Sequence, residues 1–397
     1  MRFGVNYIPS HTWLYSWVDF DEGKIREDLE AIKALGFDHI RGHLLWSFFQ
    51  LDRKIMSSHC MHNLKKFVKI CEDVGMDFFL SLLTGWMSGQ NFFPAWLTHG
   101  NKFRLVTGQE EYEAECYYAA QVAQVVKDSP RFLGFDVGNE INCITWRDKD
   151  ADIPACDRWQ TAYLEYLESL VPGKLHGNGV DHCPWFGERA FSREVLANTG
   201  AITPLHCWVE FTRARFRNGL LGSESINLTR YMAELVRAYS TDVNRMVWIQ
   251  EFGCSPMWLE AGDTIEEFVR QTFDALAKIP NLWGVTWWCS HDLNREYDSY
   301  HPLEYELGIL DIHNNPKPYA KVIQEFIAAH KANPVNPPLK TAAMVYTPGV
   351  ETAEDNWQNG KRYVEYLAQG YDPCIILPDK ISDEAYLKSR GITKILP

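Results

Sequence analysis

The sequence has no paired-cysteine motif, no apolar run long enough to cross a membrane and no cluster of basic residues. Its ten cysteines are scattered over 397 residues, which excludes a disulfide-stapled module and favours a reducing compartment. The missing apolar run excludes a transmembrane helix. With 39 basic against 52 acidic residues, the chain is also a poor match for nucleic acid or an anionic membrane.

Motifs for export, metals and cofactors are missing as well. Residues 1–7 predict a strand that begins at once, without the apolar segment and cleavage site of a signal peptide, so we expect a cytoplasmic protein. His59-Cys60-Met61-His62 has no second ligand pair at a usual spacing and predicts no metal site. The first turn, residues 8–13, lacks the glycine fingerprint of a dinucleotide site. We therefore expect neither a metal nor a cofactor.

Eight strand-like segments alternate with helix-like segments over about 330 residues, the arithmetic of a (β/α)8 TIM barrel. An open doubly wound sheet is the alternative, although it more often has five to seven strands and a glycine-rich first turn. The predicted strands are Phe3–Tyr7, His39–Leu45, Asp77–Thr84, Phe132–Glu140, Lys174–Val180, Ile202–Val209, Met246–Gly253 and Leu282–Ser290.

A short segment rich in proline and asparagine divides the chain. Residues 333–338 predict a linker, which leaves the barrel at residues 1–332. Residues 339–397 predict a small βαβαβ accessory domain without a catalytic pattern. Such a unit could serve packing or contacts in a homo-oligomer.

Two glutamates end non-adjacent strands of the predicted barrel. Active sites of such barrels lie at the carboxyl ends of the strands, where the fourth strand ends in Asn139-Glu140 and the seventh in Glu251. Carboxylates that face each other across a pocket fit glycoside hydrolysis, in which one donates a proton and the other attacks or activates water. A single glutamate there would more often be a salt-bridged strand-end acid. Two such glutamates together favour a catalytic role over a structural one.

In these positions the chain resembles clan A glycoside hydrolases, with family 5 the closest pattern, over residues 3–330. The resemblance implies that Glu140 is the acid/base and Glu251 the nucleophile of a retaining β-glycoside hydrolase. The further matching positions are Arg41, Asn139, His206 and Trp288. The family usually has a tyrosine two residues after the histidine, whereas this chain has Trp208. The tyrosine that hydrogen-bonds the nucleophile is therefore unassigned.

Physical arguments support roles for these residues. Arg41 can hold Glu251 ionised, and Asn139 can bond the sugar 2-hydroxyl. His43 faces the same side of its strand as Arg41 and is either a sugar ligand or a core histidine. Glu140 must be protonated near neutral pH, and the charge of Glu251 raises its pKa in the required direction. Since alternation points neighbours to opposite faces, Asn139 and Glu140 both reach the pocket only if the strand ends or bulges there.

Tryptophans are frequent at the predicted strand ends. They supply flat, partly apolar walls of the kind that sugars stack on. We expect Trp288 to form the floor of the sugar site and others to form its walls, whereas Trp287 points to the outer helices. The wall candidates are Trp46, Trp86, Trp146, Trp208 and Trp258.

The resemblance favours β-mannoside substrates. A cytoplasmic location would favour imported oligosaccharides over insoluble polymers, and hence an exo-acting enzyme with a blocked pocket. We therefore predict a β-mannosidase that acts on short manno-oligosaccharides or glycan fragments. The alternatives are a β-glucosidase or β-galactosidase, an endo-β-mannanase or endoglucanase, and, from another class, a non-catalytic sugar-binding barrel.

Overall fold

A curled parallel sheet forms the centre of the molecule. The computed structural model describes residues 1–99, 102–187, 190–349, 351–352 and 356–397. The strands of the sheet are Arg2–Asn6, His39–Leu45, Asp77–Thr84, Phe132–Asp136, Thr203–His206, Val247–Phe252 and Leu282–Trp287. Numbered by the predicted β–α units, they lie in the order fourth, third, second, first, eighth, seventh, sixth. The predicted (β/α)8 barrel is confirmed.

The fifth position is not a regular strand, so the predicted strand Lys174–Val180 is wrong. Gly177 makes a single bridge to Asp136, with backbone hydrogen bonds to its neighbours in the fourth strand. On the other side, the amide of Ala201 donates to the carbonyl of His176 at 2.9 Å. A Cβ on Gly177 would lie 2.8 Å from the ring of Pro204, so only glycine allows this approach. The barrel still closes, through the irregular backbone at the fifth position.

The helices match the predicted periodicity and pack outside the barrel. Their buried stripes face the sheet, as Ile25, Leu29 and Ile32 do on the first helix. Side-chain caps begin several of them; Ser57, for example, accepts the amide hydrogen of Cys60. The barrel helices are Glu22–Ala34, Ser58–Val74, Gln109–Val126, Ile153–Leu170, Arg193–Asn198, Leu228–Tyr239, Ile265–Leu276 and Pro318–Ala332.

Short elements fill the loops at the mouth of the barrel. The helical turns are Trp13–Trp17, Trp46–Phe49, Ala95–Thr98, Asn142–Thr145, Cys183–Phe186, Arg215–Asn218, Ser223–Ile226, Pro256–Trp258 and Pro302–Glu306. Two small hairpins pair Gln50–Asp52 with Ile55–Met56 and Trp86–Met87 with Gln90–Asn91. The segment between the third strand and the helix Gln109–Val126 therefore carries local structure.

Residues beyond the linker form a second, small sheet. Strands Ala342–Val345, Pro373–Ile376 and Lys394–Ile395 pair in parallel, and helices Gln358–Ala368 and Glu384–Ser389 lie between them in sequence. Two antiparallel strands of two residues each, Glu351–Thr352 and Asn356–Trp357, pair beside it in sequence.

Polar contacts tie this small unit to the barrel helix Leu228–Tyr239. Arg390 donates to the carbonyl oxygen of Arg237 at 2.9 Å, and Arg230 pairs with Asp372 at 2.7 Å. We propose on these contacts that residues 339–397 form an accessory domain that braces the barrel, with residues 333–338 as its linker. A homo-oligomer and a cytoplasmic location stay predictions. Across the described ranges, no helix is both long and apolar enough to span a bilayer.

Aromatic side chains fill the end of the barrel at which the strands begin. Phe79 and Trp248 stack with ring centroids 4.3 Å apart, and Trp283 packs edge-on against both. This plug confines the polar interior to the opposite, carboxyl end of the strands. Trp287 points outward and packs against Tyr319 of the last barrel helix, as predicted.

Candidate active site

Arg41 organises the polar layer above the aromatic plug. Its side chain is fully buried and donates to Glu251 Oε1 at 2.7 Å and to Asp136 Oδ2 at 2.6 Å. It also donates to the side-chain oxygens of Asn6 and Asn139, both at 3.1 Å. A planar guanidinium can serve four acceptors in this way, whereas an ammonium cannot. Arg41 therefore links four strands of the barrel at the site.

The fourth strand ends before its two functional residues. It stops at Asp136, four residues earlier than predicted, and Glu140 has a φ of 45° in the left-handed region. A Cβ on Gly138 would lie 2.6 Å from the carbonyl oxygen of Leu83, so the turn requires glycine. Because regular alternation has ended, Asn139 and Glu140 both face the pocket.

A bulge in the seventh strand has the same effect. Its register against the sixth strand shifts between Ile249 and Glu251, so that Glu251 pairs with His206. Gln250 and Glu251 consequently both point inward, where Gln250 donates to Asp136 Oδ2 at 3.0 Å. Bulges at barrel rims commonly re-aim side chains in this way.

Glu251 accepts hydrogen bonds at both carboxyl oxygens. Besides the Arg41 contact at Oε1, the indole N–H of Trp208 donates to Oε2 at 3.2 Å. Burial raises the pKa of Glu251, while His206 and Arg41 act to lower it. Trp208 thus supplies a donor where the family resemblance left a tyrosine unassigned.

His206 lies between the two carboxyl groups. Its Nδ1 is 3.0 Å from Glu140 Oε1 and 3.3 Å from Glu251 Oε2. Its Nε2 is 2.9 Å from Gln250 Oε1, which must be an acceptor because the amide nitrogen of Gln250 donates elsewhere. Nε2 therefore carries the proton. Because burial lowers the pKa of His206, the ring is neutral and its Nδ1 is an acceptor.

The remaining proton belongs on Glu140. Glu251 already accepts from Arg41 and Trp208, whereas a protonated Glu140 can donate to Nδ1 of His206. Burial first, and then the charge of Asp181, raise the pKa of Glu140 to about 7. The predicted direction is right, with burial and Asp181 as its main causes, while the repulsion between Glu140 and Glu251 raises the pKa of Glu251.

The two carboxyl groups are close together. One oxygen of Glu140 and one of Glu251 lie within 4.8 Å of each other, with His206 between them. Retaining glycosidases hold these groups about 5–5.5 Å apart and inverting ones about 6.5–9.5 Å. A second group, Asp181, His182 and Cys183, also has side-chain donors within 4.8 Å of one another. By donor type either group could hold a metal; the absence of a metal stays a prediction.

A cavity of about 440 Å³ opens above the carboxylates. Of the predicted floor residue, Trp288, and the five predicted wall residues, Trp288, Trp86 and Trp208 line it. The other three do not: Trp46 is buried and donates to Gln50, Trp146 is 64% exposed, and Trp258 packs behind Trp208. Three of the five predicted wall residues are therefore wrong. Strand-end position alone does not tell which way a side chain turns.

Three predicted substrate ligands lie beneath the cavity rather than on its surface. Arg41 and His206 are fully buried and reach the cavity only through the two glutamates. His43 packs edge-on against Trp288, and burial lowers its pKa. Neither ring nitrogen of His43 has a hydrogen-bond partner among the described residues. His43 is not among the residues that line the cavity, and this position favours the core role of the two predicted for it.

Several lining residues were not predicted. Ser88, Asp181, His182, Phe211 and Glu304 all line the cavity. They lie in loops after the strands, some of them many residues beyond the strand end. Adjacency to Glu140 in space, not in sequence, distinguishes them, and no sequence motif marks them.

The fold and the paired carboxylates define the molecule as a barrel enzyme of the glycosidase type, and solved structures give the family. A GH5_18 protein from Streptomyces cattleya, in complex with Manb1-4GlcNAc, is 31% identical, with a TM-score of 0.93 over 100% of this chain and 98% of that chain. The same protein in complex with GlcNAc gives 32% identity, a TM-score of 0.93 and coverages of 100% and 97%.

A GH5_18 protein from Bifidobacterium longum subsp. infantis gives 28% identity and a TM-score of 0.92, covering 100% of this chain and 96% of that chain. Neither the scan against family models nor the search of curated proteins finds a match. The chain belongs to the GH5_18 group of glycoside hydrolase family 5. It is a glycoside hydrolase.

Proposed function

We propose that the protein is a retaining, exo-acting β-mannosidase. The observation that carries the proposal is the close approach of Glu140 and Glu251, within 4.8 Å at their nearest oxygens, at the base of a cavity of about 440 Å³. Glu251 attacks the anomeric carbon while protonated Glu140 gives its proton to the leaving oxygen. Glu140 then removes a proton from water, which displaces Glu251. The mechanism requires no cofactor.

The surrounding residues prepare each carboxyl group for its step. Arg41 and Trp208 both donate to Glu251 and so stabilise its charged form. His206 Nδ1 accepts a hydrogen bond from protonated Glu140. The bond from His206 Nε2 to Gln250 keeps the proton on Nε2, so that Nδ1 stays free to accept. The amide of Asn139 is held by Arg41 and by the carbonyl of Trp86, next to Glu140, where it can reach the 2-hydroxyl. Trp288 offers its face to the sugar ring.

The sugar assignment rests on the relatives. The Streptomyces cattleya protein was crystallised with Manb1-4GlcNAc, a β-mannoside. We infer that this chain releases terminal mannose from short β-mannosides, with the Manβ1-4GlcNAc unit of glycan fragments as a leading substrate. Glucosidase, galactosidase and endo-acting alternatives share the same two-carboxylate chemistry. A non-catalytic barrel is disfavoured because both carboxylates are present and poised.

A panel of 4-nitrophenyl β-glycosides tests this assignment. The mannoside should give the highest kcat/KM, and Manβ1-4GlcNAc should yield free mannose. The Glu251→Gln variant is the control for contaminating activity. A tenfold or greater preference for the glucoside or galactoside, about 1.4 kcal/mol in the barrier, would reject the mannosidase assignment and leave the mechanism intact.

The indole donor of Trp208 gives a separate prediction. Trp208→Phe removes the hydrogen bond to Glu251, and because that bond favours the ionised carboxylate, the pKa of Glu251 rises further. Activity requires ionised Glu251, so the acidic limb of the kcat/KM profile should move to higher pH. We expect a loss of about tenfold at the optimum.

The matched control is Trp208→Tyr, which restores a donor of the type usual in the family. It should recover much of the rate and return the acidic limb toward its original position. An unchanged acidic limb in Trp208→Phe would show that the indole does not stabilise the charged nucleophile.

A further inference from the structure

Two loops from distant strands meet at one end of the cavity. The hydroxyl of Ser88, in the loop after the third strand, donates to Oε2 of Glu304, in the loop after the eighth, at 2.9 Å. In the sheet these strands are separated by the first and second strands. The contact therefore spans the barrel mouth above both of them.

Aromatic side chains join two of the loops at this end of the barrel. Trp13, in the loop after the first strand, packs edge-on against Tyr300 with centroids 4.1 Å apart. Tyr15 stacks on Tyr297 at 5.5 Å, and its hydroxyl lies 3.2 Å from that of Tyr300. The loops after the first and eighth strands are thus packed together, and this packing supports the wall that Leu303, Glu304 and Leu307 of the eighth-strand loop give to the cavity.

The opposite side of the mouth is open. Phe211, in the loop after the sixth strand, lines the cavity and is 47% exposed, and Trp146, after the fourth strand, is 64% exposed. Glu140 belongs to this side because it follows the fourth strand, in the segment that also carries Trp146. Since the leaving group departs at the protonating carboxyl, it extends toward the open side, and the retained sugar lies toward the wall.

Glu304 is the polar group of that wall, and the two-glutamate mechanism does not use it. It lines the cavity with Glu140, and burial, with a smaller part from the charge of Glu140, raises its pKa to about 7. Oε2 is taken by Ser88, whereas Oε1 accepts no hydrogen bond from any part of the chain that the structure describes. A partly buried carboxyl group with one unoccupied oxygen on a sugar cavity is suited to hydroxyl groups.

We propose that Glu304, held by Ser88, is the specificity residue that binds the terminal sugar at the end remote from the scissile bond. In a pyranose, C4 lies across the ring from C1, so the groups that meet Glu304 are the 4-hydroxyl and the neighbouring 6-hydroxyl. A further sugar on O4 would meet the wall, which restricts cleavage to one terminal residue. This inference rests on the exo action proposed above.

Deoxy substrates test the contact directly. For the wild type, removing the 4- or the 6-hydroxyl of 4-nitrophenyl β-mannoside should lower kcat/KM by tenfold or more at the hydroxyl that Glu304 binds. In Glu304→Ala, the parent mannoside should lose a similar factor, and the same deoxygenation should then cost less than twofold. If both deoxy penalties are equal in the wild type and Glu304→Ala, the proposal is overturned.

A neighbouring glutamate provides the control. Glu306, in the same helical turn, pairs with Arg295 at 2.9 Å and does not line the cavity, so Glu306→Gln should keep the wild-type penalties. Should Glu304→Ala fail to fold, Ser88→Ala is the second variant, because it keeps the carboxyl group of Glu304 but removes the hydrogen bond that holds it. It should reduce the loss of kcat/KM on deoxygenation by at least threefold. An unchanged penalty in that variant would equally overturn the proposal.

The wild-type assay separates this proposal from the proposed function. Absence of mannosidase activity would reject the sugar assignment. The deoxy comparison would then be made on the β-glycoside that the enzyme does hydrolyse, and it would test Glu304 independently.

Discussion

Glu251→Ala should lower kcat by about 10⁴-fold or more, because no other group can form the covalent intermediate. Two donors converge on this carboxylate, from Arg41 and Trp208, and neither can replace it as a nucleophile. Azide can enter the space left by the side chain and attack the same face of the sugar. We therefore expect partial rescue by azide, with an α-glycosyl azide as the product.

A second glutamate near the mouth serves as the control for this experiment. Glu210 pairs with Arg215 and does not line the cavity, so Glu210→Ala should retain activity and show no azide effect. Near-normal activity of Glu251→Ala, or a β-glycosyl azide from it, would remove Glu251 from the nucleophile position.

Glu140→Ala should affect substrates according to their leaving groups. Poor leaving groups need protonation and should lose about 10²–10⁴-fold, whereas a dinitrophenyl glycoside should lose far less in the first step. Azide should here give a β-glycosyl azide, since the nucleophile remains. If good and poor leaving groups lose the same factor, Glu140 is not the acid.

The same residue sets the alkaline side of the pH profile. Wild-type activity requires protonated Glu140 and should fall as the pH rises through about 7, and Glu140→Ala should flatten that limb. Asp181→Asn removes a negative charge that raises the pKa of Glu140. The alkaline limb of the pH profile of this variant should therefore move to lower pH. A limb that moves upward, or not at all, would contradict this electrostatic account.

Sequence reasoning located the parts of the site that depend on strand position. The second strand was predicted residue by residue, and Arg41 meets Glu251 as its place in that strand indicated. Position along a barrel strand determines height above the plug, and the strand number determines the place around the ring. These two coordinates were sufficient to pair Glu140 with Glu251.

Local irregularity and loop packing could not be predicted in the same way. The bulge that turns both Gln250 and Glu251 inward depends on pairing with the sixth strand, which periodicity within one segment does not report. Glu304 lies in a loop well beyond its strand and gains its place from contact with Ser88, 216 residues away in the chain. The predicted fifth strand contains Gly177 and Gly179, where neighbouring atoms leave no room for a Cβ and where Gly179 takes a positive φ, so no regular strand forms.

The stereochemistry of hydrolysis tests the central claim most directly. Proton NMR of 4-nitrophenyl β-mannoside, followed from the first minutes of reaction, reports which anomer of mannose is released before mutarotation. Two carboxyl groups this close predict a double displacement, so the β-anomer should form first and the α-anomer should appear later. Initial formation of the α-anomer would show direct attack by water and contradict the roles given to Glu140 and Glu251.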